Sequence, residues 1–448
     1  MKRAAVILAA GMGTRMKSAT PKVMHKVGGR MMVDWSLDLS SQLGCERQVL
    51  VIGTHSEALT EFAKARVGEQ NIAVQNPPQG TGHAVQVAKD ALDGFSGHIV
   101  ILYADTPLLP KAAIEGAFAA LDNGADISVL GFDAEEPGGY GRLITSETGE
   151  LLKIVEAKDA SEDELAITFC NSGVMAVRSE LLFKLLDQVD NNNAKKEYYL
   201  TDIVAIGRAA GCKTAAVRCD EEDVLGVNSR VQLAEAEAVF QKRKRVELME
   251  QGVTMTDPDT VFLSFDTQIG SDVTIEPNVF FGPDVVLDDN VTIRAFSHIE
   301  GAKVASGSVI GPFARLRPGA DIGAKVKIGN FVEVKNTRID EGAQANHLAY
   351  LGDGEVGARS NIGAGTIFCN YNGYEKNKTI LGENAFIGSN SSLVAPVRIG
   401  AKAMTGSGSV ITEDVEDGAL ALGRARQVTL KGWAFNYHDE QSKKKQGK

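Results

Sequence analysis

Aromatic residues, cysteines and long apolar runs are all scarce in this sequence, and each shortage excludes a class of protein. Aromatics account for 6% of the 448 residues, whereas glycine is abundant at 47, a combination that suits an architecture of many short turns. The five cysteines are scattered, odd in number and without the spacing of metal ligands, so reduced thiols in a cytoplasm fit best. They are Cys45, Cys170, Cys212, Cys219 and Cys369.

No segment is apolar for long enough to cross a membrane or to act as a signal sequence. The N-terminal apolar run, residues 4–10, is only seven residues long and ends at a glycine. We therefore expect a soluble protein of the cytoplasm. The net charge of −11 argues against nucleic acid as the main partner, because phosphate backbones call for a basic face. Small anionic ligands remain possible, since they need only a local positive pocket.

Residues 1–228 alternate short apolar runs with amphipathic stretches. The runs AAVILAA, RQVLVI, HIVILYAD and ADISVLGF are predicted as buried strands, and stretches such as PKAAIEGAFAALDNG as helices. This alternation predicts an α/β domain with a mainly parallel, Rossmann-like sheet covered on both faces. Residues 229–251 contain no glycine or proline and are dense in Ala, Glu, Lys and Arg, which predicts one long connecting helix.

Beyond that helix, aliphatic residues recur every six positions, a period that fits neither a helix nor an amphipathic strand. It predicts an all-β solenoid of flat hexapeptide sides with inward aliphatics, a parallel β-helix within residues 252–436. Chance periodicity in a glycine-rich β domain is the alternative, but the phased blocks of hits leave it little room. With small slips between blocks, the series is Ile269, Ile275, Phe281, Leu287, Ile293, Ile299, Val304, Ile310, Leu316, Ile322, Ile328, Val334, Ile339, Ala345, Leu351, Val356, Ile362, Leu381, Ile387, Leu393, Ile399, Thr405 and Ile411.

Two segments depart from the six-residue repeat. Residues 368–380, FCNYNGYEKNKTI, break it and are expected to loop out from the coils. Residues 437–448 are a polar, basic tail, which we expect to be solvated and without regular structure.

A glycine-rich turn follows the first predicted strand. Such a turn at the carboxyl end of a parallel strand lets backbone N–H groups approach phosphate oxygens. Both the dinucleotide fingerprint and the Walker loop need glycine at position 16, where Met16 stands, so neither applies. Arg15 and Lys22 supply positive charge suited to a triphosphate and its leaving pyrophosphate. On Gly11 and Gly13 alone, a purely structural strand–helix turn is the slightly better interpretation.

Asp105 ends another buried strand, where a carboxylate can hold Mg²⁺ against nucleotide phosphates. Asn228 can add an oxygen ligand to the same ion. The alternative for Asp105 is a strand-end cap before Thr106-Pro107, which is the commoner case for an isolated aspartate.

The repeat region carries polar residues that a scaffold does not need. Arg317 and Lys335 are suited to bind a phosphate, and His347 can act as general base toward an amine. Stacked coils place residues about 12 and 18 apart on nearby corners, as from Lys335 to His347 and from Arg317 to Lys335. A lone surface histidine is the alternative, and the basic neighbours argue against it.

The pattern L-x-x-G-x-G-T-R-M over residues 8–16, followed by Pro21-Lys22, resembles the signature of sugar-1-phosphate nucleotidyltransferases. Further segments agree in order: Gln75, GTGHA at 80–84, LYAD at 102–105, GYGR at 139–142, IVE at 154–156, NSG at 171–173 and GVN at 226–228. From Leu8 to about Arg426, the chain is similar to the bacterial family of bifunctional N-acetylglucosamine-1-phosphate uridylyltransferases and glucosamine-1-phosphate N-acetyltransferases.

That resemblance implies a left-handed coil and a homotrimer formed through the β-helix; the general crossover rule alone favours the right hand. It implies Mg²⁺ as cofactor, with UTP and acetyl-CoA as co-substrates alongside the two sugar phosphates. The product, UDP-N-acetylglucosamine, would supply peptidoglycan and lipopolysaccharide precursors. The uridylyl step is in-line phosphoryl transfer, which requires positioning and charge neutralisation rather than a protein nucleophile.

The resemblance also implies the residues of both sites. UTP and UDP-N-acetylglucosamine would contact Leu8, Ala9, Ala10, Gly11, Arg15, Lys22, Gln75, Gly80, Thr81, Tyr103, Ala104, Asp105, Gly141, Glu156, Asn171 and Asn228, with Mg²⁺ on Asp105 and Asn228. The acetyl acceptor's sugar phosphate would contact Arg317, Lys335, Tyr350 and Asn361, and His347 would deprotonate its amine. Acetyl-CoA would contact Ala364, Asn370, Tyr371, Ser389, Ser407 and Arg424. We further expect backbone N–H groups near Ala364 to stabilise the oxyanion.

Two departures from the family pattern concern ligand fit rather than chemistry. Ala104 stands where glycine is usual, and Ser407 where alanine is common.

Two other functions are alternatives. A monofunctional nucleotidyltransferase with a trimerising β-helix does not need Arg317, Lys335 and His347, and a non-enzymatic sugar-nucleotide sensor does not need the full set around Asp105.

Overall fold

The computed structural model describes residues 1–446, which divide into an N-terminal unit, Met1–Lys244, and a C-terminal unit that starts at Arg245. The boundary falls inside a long helix. Gly447 and Lys448, the end of the predicted tail, lie outside the described residues. Among residues 1–446, no helix combines the length and the apolar character that a membrane span needs.

The N-terminal unit is built from alternating strands and helices. Its elements are β1 Arg3–Leu8, β2 Lys26–Val27, β3 Arg30–Met31, α1 Met32–Gln42, β4 Arg47–Ile52, α2 Glu57–Val67, β5 Ile72–Val74, α3 Thr81–Gln86, β6 His98–Tyr103, α4 Lys111–Asp122, β7 Ile127–Asp133, β8 Arg142–Thr145, β9 Leu151–Val155, α5 Glu162–Leu165, β10 Phe169–Arg178, α6 Ser179–Leu186, α7 Asp202–Ala209, β11 Thr214–Arg218 and the long helix α8 Arg230–Glu250. Short 3₁₀ turns cover Thr14–Met16, Lys22–Met24, Glu69–Asn71, Asp90–Leu92 and Glu221–Asp223.

The main sheet of this unit has the order β11-β7-β10-β6-β1-β4-β5. Its strands are parallel except β10, which runs antiparallel to both neighbours, and β8 and β9, which extend the sheet as a hairpin. Side chains of β1 alternate between two separate cores, with Val6 on one face and Ile7 on the other. A sheet buried on both faces explains why its strands are nearly continuous apolar runs, and the predicted α/β architecture is confirmed.

The predicted connecting helix forms as α8 and differs from the predicted range by one residue at each end. It ends just before Gly252, whose φ of +97° belongs to the left-handed region that commonly terminates helices.

The C-terminal unit is a parallel β-helix of very short strands. They are β12 Thr254–Met255, β13 Gln268–Ile269, β14 Thr274–Ile275, β15 Phe280–Phe281, β16 Val286–Leu287, β17 Thr292–Ile293, β18 His298–Ile299, β19 Ala302–Val304, β20 Val309–Ile310, β21 Arg315–Leu316, β22 Ala320–Ile322 and β23 Lys327–Asn330. The coil continues with β24 Glu333–Ile339, β25 Gln344–His347, β26 Tyr350–Val356, β27 Asn361–Ile362, β28 Ile367–Cys369, β29 Thr379–Leu381, β30 Phe386–Ile387, β31 Ser392–Val394, β32 Val397–Ile399, β33 Met404–Thr405, β34 Val410–Ile411 and β35 Leu420–Ala421.

The strands stack into three faces. The first face is the column β12-β14-β17-β20-β23-β25-β27-β30-β33-β35. The second contains β18, β21, the start of β24 and β26, and the third contains β19, β22 and the ends of β24 and β26. We call the corner between the first and second faces the first edge; it carries the left-handed residues Phe296, Phe313, Phe331, Leu348 and Asn390.

The predicted aliphatic series fills the interior of the coil. Every member from Ile275 to Ile411 is buried, and Ile269 at the open end is partly buried. The six-residue period is therefore confirmed as a β-helix core. Each coil buries three such residues, and burying one large aliphatic side chain contributes about 1.5–3 kcal/mol.

Two local predictions are wrong. Phe368 does not loop out, because it is fully buried in the core on β28, and the excursion is confined to residues 370–378. The tail is not irregular: residues 433–446 form the exposed helix α9, Trp433–Gln446. Its residues are all solvated, as expected, and its last turn carries three lysines that suit the negative end of a helix dipole.

Candidate active sites

The loop after β1 packs against the segment that carries Lys22. Gly13 has a φ of +61°, and a Cβ on it would lie 2.5 Å from the Cβ of Lys22. Glycine is therefore required at this position both by the backbone conformation and by the close approach of Lys22. The loop continues into the 3₁₀ turn Thr14–Met16, where Met16 is buried and Arg15 is exposed.

A cleft of about 370 Å³ opens at the carboxyl ends of β1 and β6. This is the edge at which open α/β sheets bind ligands. Ten of the predicted nucleotide-site residues line it: Leu8, Ala9, Ala10, Gly11, Lys22, Gln75, Gly80, Thr81, Tyr103 and Asp105. Pro78, Glu197 and Met12 also line the cleft and were not predicted.

Lys22 joins the two predicted metal ligands. Its Nζ donates to Asp105 Oδ2 at 2.5 Å and to Asn228 Oδ1 at 3.0 Å. The N–H of Val227 donates to the Asp105 carbonyl at 2.8 Å, which ties the segment before α8 to the end of β6. Residues far apart in the sequence therefore form one cluster of a cation and two oxygen ligands.

The amino acids predicted to bind the sugar lie around β10. The strand bulges just after Asn171, which releases that residue from the regular ladder. Its N–H donates to the Gly141 carbonyl at 2.8 Å. Glu156 accepts from Thr201 Oγ1 at 3.4 Å, and burial raises the pKa of the Glu156 carboxyl.

Tyr103 lies between the nucleotide cleft and the amino acids predicted to bind the sugar. A Cβ on Gly173 would lie 2.8 Å from Tyr103 Cε2, so only glycine lets the ring pack there. Burial raises the pKa of Tyr103, and the charges of Asp105 and Glu156 add to the effect. The phenol therefore stays protonated and lies near both carboxylates.

Six of the sixteen residues predicted for this site do not line the cleft: Arg15, Ala104, Gly141, Glu156, Asn171 and Asn228. Ala104 is fully buried in the core, and its N–H donates to the Leu8 carbonyl at 3.0 Å. The methyl group that departs from the family pattern therefore packs inside the protein. Arg15 is exposed on its 3₁₀ turn, outside the lining of the cleft.

Arg142 has a role that the sequence did not reveal, although it belongs to the GYGR motif. It is only 2% exposed. Its guanidinium donates to the backbone carbonyls of Pro137, Gly138, Tyr140 and Leu165. Arg142 therefore fixes the loop that precedes the predicted sugar contact Gly141.

Asp202 lies in an acidic pocket with Glu156, Asp159 and Tyr199. Burial first, and then the neighbouring carboxylates, raise the pKa of Asp202 to about 6. Because this folded-state value exceeds the unfolded value of about 4, the ionised carboxylate destabilises the fold above pH 6. That penalty disappears as the pH falls below about 4.

We expect Asp202→Asn to raise the free energy of unfolding at pH 8 by about 1 kcal/mol, allowing for partial exposure. At pH 4 the variant and the parent should melt together. Thermal melts at the two pH values check this, and an equal gain at both would contradict the assignment of the effect to the charge.

The phosphate-binding residues predicted for the second site lie on the second face. Arg317 and Lys335 occupy neighbouring coils. Arg317 Nη1 contacts Glu333 Oε1 at 2.7 Å, and Lys335 Nζ lies 3.6 Å from Asp353 Oδ2. Lys376, which was not predicted, reaches Lys335 from the excursion at 370–378; the close contact of the two amino groups raises the pKa of Lys335 and lowers that of Lys376. Three cations therefore converge here, and Glu333 and Asp353 each lie against one of them.

His347 ends β25 on the first edge. Its Nδ1 contacts Asn330 Oδ1 at 2.7 Å, and because an amide oxygen only accepts, Nδ1 must donate. Nε2 therefore carries the free lone pair and can act as a base. Asn330 was missed by the sequence reasoning; it is one coil before His347 and in register with it. A groove of about 330 Å³ next to the imidazole is lined by Arg294 and Lys327.

Four predicted acetyl-CoA residues continue the column of His347 along the first edge. The carbonyls of His347, Ala364 and Ser389 each accept an N–H from the next coil, at 3.4, 2.7 and 2.8 Å. Ser407 follows in the same column, and a Cβ on its neighbour Gly408 would lie 4.0 Å from Arg424 Cδ. Since coils are spaced like paired strands, three steps span roughly 14 Å.

The other predicted residues of the second site are placed differently. Asn370 is 7% exposed, and its amide donates to Asp353 Oδ2 at 2.5 Å, so its side chain anchors the excursion. Tyr371 is 60% exposed and donates to the Gly373 carbonyl at 2.6 Å. Asn361 lies on the first face, on β27.

Within one chain, the phosphate cluster and the histidine lie on different sides of the first edge. Lys335 is in register with Gly352, which is five residues beyond His347 and around the first edge. A path of five residues measures at most about 15 Å, and the straight distance is shorter because the path turns this corner. In glucosamine-1-phosphate, the amine and the phosphate are carried by two adjacent carbons of one sugar ring. Tyr350, on the second face, lies between the two groups along the chain.

Two family models match the sequence. A MobA-like NTP transferase domain matches residues 5–193. The bacterial transferase hexapeptide model, with six repeats, matches residues 266–301 and 378–413. The coil of the C-terminal unit is the left-handed parallel β-helix predicted for it.

Relatives match the chain over nearly its whole length. A protein of Hyphomonas neptunium is 57% identical over 444 residues, covering 99% of this chain and 96% of the relative. Proteins of Paramagnetospirillum magneticum and Zymomonas mobilis are 51% and 48% identical and cover 98% of each relative. All three are named bifunctional protein GlmU. Among solved structures, an inositol-1-phosphate CTP transferase from T. maritima is 17% identical, covers 54% of this chain and 96% of its own, and has a TM-score of 0.43.

Proposed function

The chain belongs to the GlmU family of bifunctional proteins, and from this premise we propose a role for each residue of its two sites. It is an N-acetylglucosamine-1-phosphate uridylyltransferase and a glucosamine-1-phosphate N-acetyltransferase in the synthesis of UDP-N-acetylglucosamine. We assign uridylyl transfer to residues 1–228 and acetyl transfer to residues 252–436, joined by the helix of residues 229–251.

In uridylyl transfer, the phosphate of the sugar attacks the α-phosphorus of UTP in line, and pyrophosphate leaves. Backbone N–H groups at Ala10 and Gly11 bind the triphosphate at the carboxyl end of β1. Leu8 and Ala9 line the same cleft, and the N–H of Ala9 is already engaged by the Val51 carbonyl. Lys22 and Arg15 neutralise the charge that develops on the departing pyrophosphate. Gln75 fixes the far side of the cleft, because its amide donates to the Gly80 carbonyl at 2.9 Å.

The residues at the end of β6 fit Mg²⁺. Asp105 and Asn228 present oxygen ligands that lie 2.5 Å and 3.0 Å from one point, the Nζ of Lys22. Within residues 1–446, no three His, Cys, Asp or Glu side chains form a closed metal cage. A cation held here would therefore take its other ligands from phosphate and water, as Mg²⁺ commonly does, and would neutralise the nucleotide phosphates when bound.

The N-acetyl sugar binds beside Tyr103. We propose that Gly141 and Asn171 recognise its acetamido group through the amide and backbone groups at the bulge of β10. Glu156 accepts a sugar hydroxyl, and Arg142 keeps the Gly141 loop in place for this contact.

In acetyl transfer, His347 removes a proton from the amine of glucosamine-1-phosphate through Nε2. The amine then attacks the acetyl thioester, and the coenzyme A thiol leaves. Asn330 holds the imidazole in the tautomer that keeps Nε2 free. No hydrogen bond within residues 1–446 engages the N–H of Ala364, one coil from His347, and we propose that it binds the oxyanion.

Acetyl-CoA lies along the first edge. Ala364, Ser389, Ser407 and Arg424 follow His347 on successive coils, so a linear ligand placed over them points its thioester at the base. Tyr371 on the excursion covers the same ligand. Asn370 acts through the fold of that excursion.

The phosphate of the acceptor sugar binds to Arg317, Lys335 and Lys376 on the second face. Tyr350 and Asn361 complete the contacts. We propose that the chain is a homotrimer in which the phosphate cluster of one subunit faces the first edge of its neighbour. In this assembly, the phosphate cluster of one subunit and the histidine of its neighbour act on the same substrate.

An aromatic ladder on the first edge supports self-association. Phe296, Phe313 and Phe331 stack with ring centroids 5.0 Å and 5.2 Å apart, and about half of each side chain is exposed. All three have φ between 56° and 59°, a conformation that costs free energy for bulky residues. An exposed apolar column retained at such a cost favours a subunit interface.

We expect Phe331→Asp to dissociate the trimer, because it places a carboxylate in the apolar column. Sedimentation velocity should give about 47.7 kDa for the variant and three times that mass for the parent. Tyr374→Asp, on the exposed excursion, is the matched control and should remain trimeric. A monomeric parent chain would contradict the assembly.

We also propose the cytoplasm as the location, since UTP and acetyl-CoA are cytoplasmic metabolites. All five cysteines are free, as a reducing compartment requires.

The observation that best supports two reactions is that each unit carries its own reactive cluster. The test supplies the full chain with glucosamine-1-phosphate, acetyl-CoA, UTP and Mg²⁺. Thiol release and pyrophosphate release are then followed separately. We expect both signals, with pyrophosphate release dependent on prior acetylation. A β-helix that only trimerises the enzyme would give no thiol, and a sensor would give neither product.

A further inference from the structure

The ammonium of Lys22 lies where the oxygen ligands of Asp105 and Asn228 converge. The three side chains come from a 3₁₀ turn, the end of β6 and the segment before α8. Lys22 and Asp105 are largely shielded, with 11% and 18% of their side chains exposed. Charge-assisted contacts in such surroundings are stronger than surface ion pairs.

The backbone of both residues that carry the oxygen ligands is anchored by hydrogen bonds. The carbonyl of Asp105 accepts from Val227 at 2.8 Å, and the N–H of Asn228 donates to Gln232 Oε1 at 2.9 Å. Lys22, by contrast, holds its ammonium at the end of a flexible four-carbon stem. The ammonium is therefore the group that we expect to move when a ligand binds.

We propose that Lys22 is an internal counter-ion that holds the two metal ligands together in the absence of nucleotide and yields its position to a divalent cation when a nucleoside triphosphate binds. The proposal rests on the metal role given to Asp105 and Asn228 above. The phosphates attract the ammonium toward the loop after β1. Lys22 and that loop line the same cleft, so the side chain has only a short distance to move.

This exchange couples the two ligands. Without nucleotide, a divalent cation must displace a positive charge from Asp105, so it binds weakly. With nucleotide, the ammonium has a better partner, and the cation site becomes available. Because coupling between two ligands is reciprocal, the cation raises nucleotide affinity by the same factor.

Mn²⁺ titration of the full chain tests the proposal, with free Mn²⁺ measured by its electron paramagnetic resonance signal. In the absence of nucleotide, we expect Lys22→Met to bind one Mn²⁺ at least tenfold more tightly than the parent. Lys22→Gln replaces the ammonium with a neutral amide and should show the same gain. It serves as the test variant should methionine at this position impair folding. Lys22→Arg keeps the charge and should show none. Lys26→Met removes an exposed lysine nearby and should match the parent.

The non-hydrolysable analogue α,β-methylene-UTP completes the test. It should increase Mn²⁺ affinity in the parent by a larger factor than in Lys22→Met, because the competing ammonium is already absent from the variant. Equal Mn²⁺ affinity of parent and Lys22→Met without nucleotide overturns the counter-ion role.

The metal assignment itself is tested by Lys22→Met combined with Asp105→Ala, which should lose the tight Mn²⁺ site. If the double variant keeps that site, the ligand role of Asp105 fails. If neither the parent nor Lys22→Met binds Mn²⁺ even with the analogue, Asp105 and Asn228 do not form a metal site.

Discussion

His347→Ala should lower kcat for acetyl transfer by about 10²- to 10⁴-fold, the range for loss of a general base, and leave uridylyl transfer unchanged. The side chain is exposed at the first edge and contributes nothing to the core, so the coil should remain intact. The amine of the acceptor is protonated near neutral pH, and without Nε2 it has no group positioned to accept its proton. Thiol release from acetyl-CoA measures the loss, and pyrophosphate release from N-acetylglucosamine-1-phosphate measures the other site.

His298→Ala is the matched control for this prediction. His298 lies on the second face of the same β-helix, where its ring stacks on Phe280 at 4.8 Å. The control should keep both activities. Thiol release at the parental rate in His347→Ala would mean that His347 has no catalytic role and is an ordinary surface residue.

Asp105→Ala should lower uridylyl transfer by about a hundredfold or more and leave acetyl transfer unchanged. Removing the carboxylate leaves Lys22 without its closest partner and a cation site without its charged ligand; losses of this size follow removal of one preorganised electrostatic contact. Pyrophosphate release at saturating UTP is the measurement. Asp105→Asn, which keeps the shape of the side chain, should lose nearly as much, because the charge is what matters.

Asp90→Ala is a suitable control, since Asp90 is an exposed aspartate in the same unit. Recovery of Asp105→Ala at high Mg²⁺ concentration would mean that other oxygen ligands suffice. Loss of thiol release in the same variant would contradict two separate sites.

The fold could be predicted from the sequence where a period or a composition spans many residues. The series from Ile275 to Ile411 recurs often enough to define a coil, and residues 229–251 lack every helix breaker. Phe368 was mispredicted because the residues around it break the repeat, whereas its aromatic ring fills an aliphatic position of the core. The helix after residue 432 was missed because a polar composition favours solvation without excluding a helix.

The sites could be predicted only as far as motifs reach. Lys22, Asp105 and Asn228 are adjacent in no sequence pattern, yet each follows a predicted strand or precedes a predicted helix, so their convergence is what the α/β topology implies. Asn330 and Lys376 could not be predicted for a geometric reason. The partner of Asn330 lies one coil away and depends on strand register, and Lys376 lies on an excursion whose path the repeat does not define. The distance between Lys335 and His347 also required the structure, because a count of hexapeptides does not reveal on which side of a corner a residue lies.

The most direct test of the central claim, that one chain carries two independent sites, is a mixing experiment. Purified His347→Ala and Asp105→Ala are combined with glucosamine-1-phosphate, acetyl-CoA, UTP and Mg²⁺, and UDP-N-acetylglucosamine is quantified. Neither variant alone should form it, and the mixture should, since the acetylated sugar phosphate made by one protein is released and used by the other. If the mixture forms no UDP-N-acetylglucosamine although each variant keeps its remaining activity, the two-site account with a freely released intermediate is contradicted.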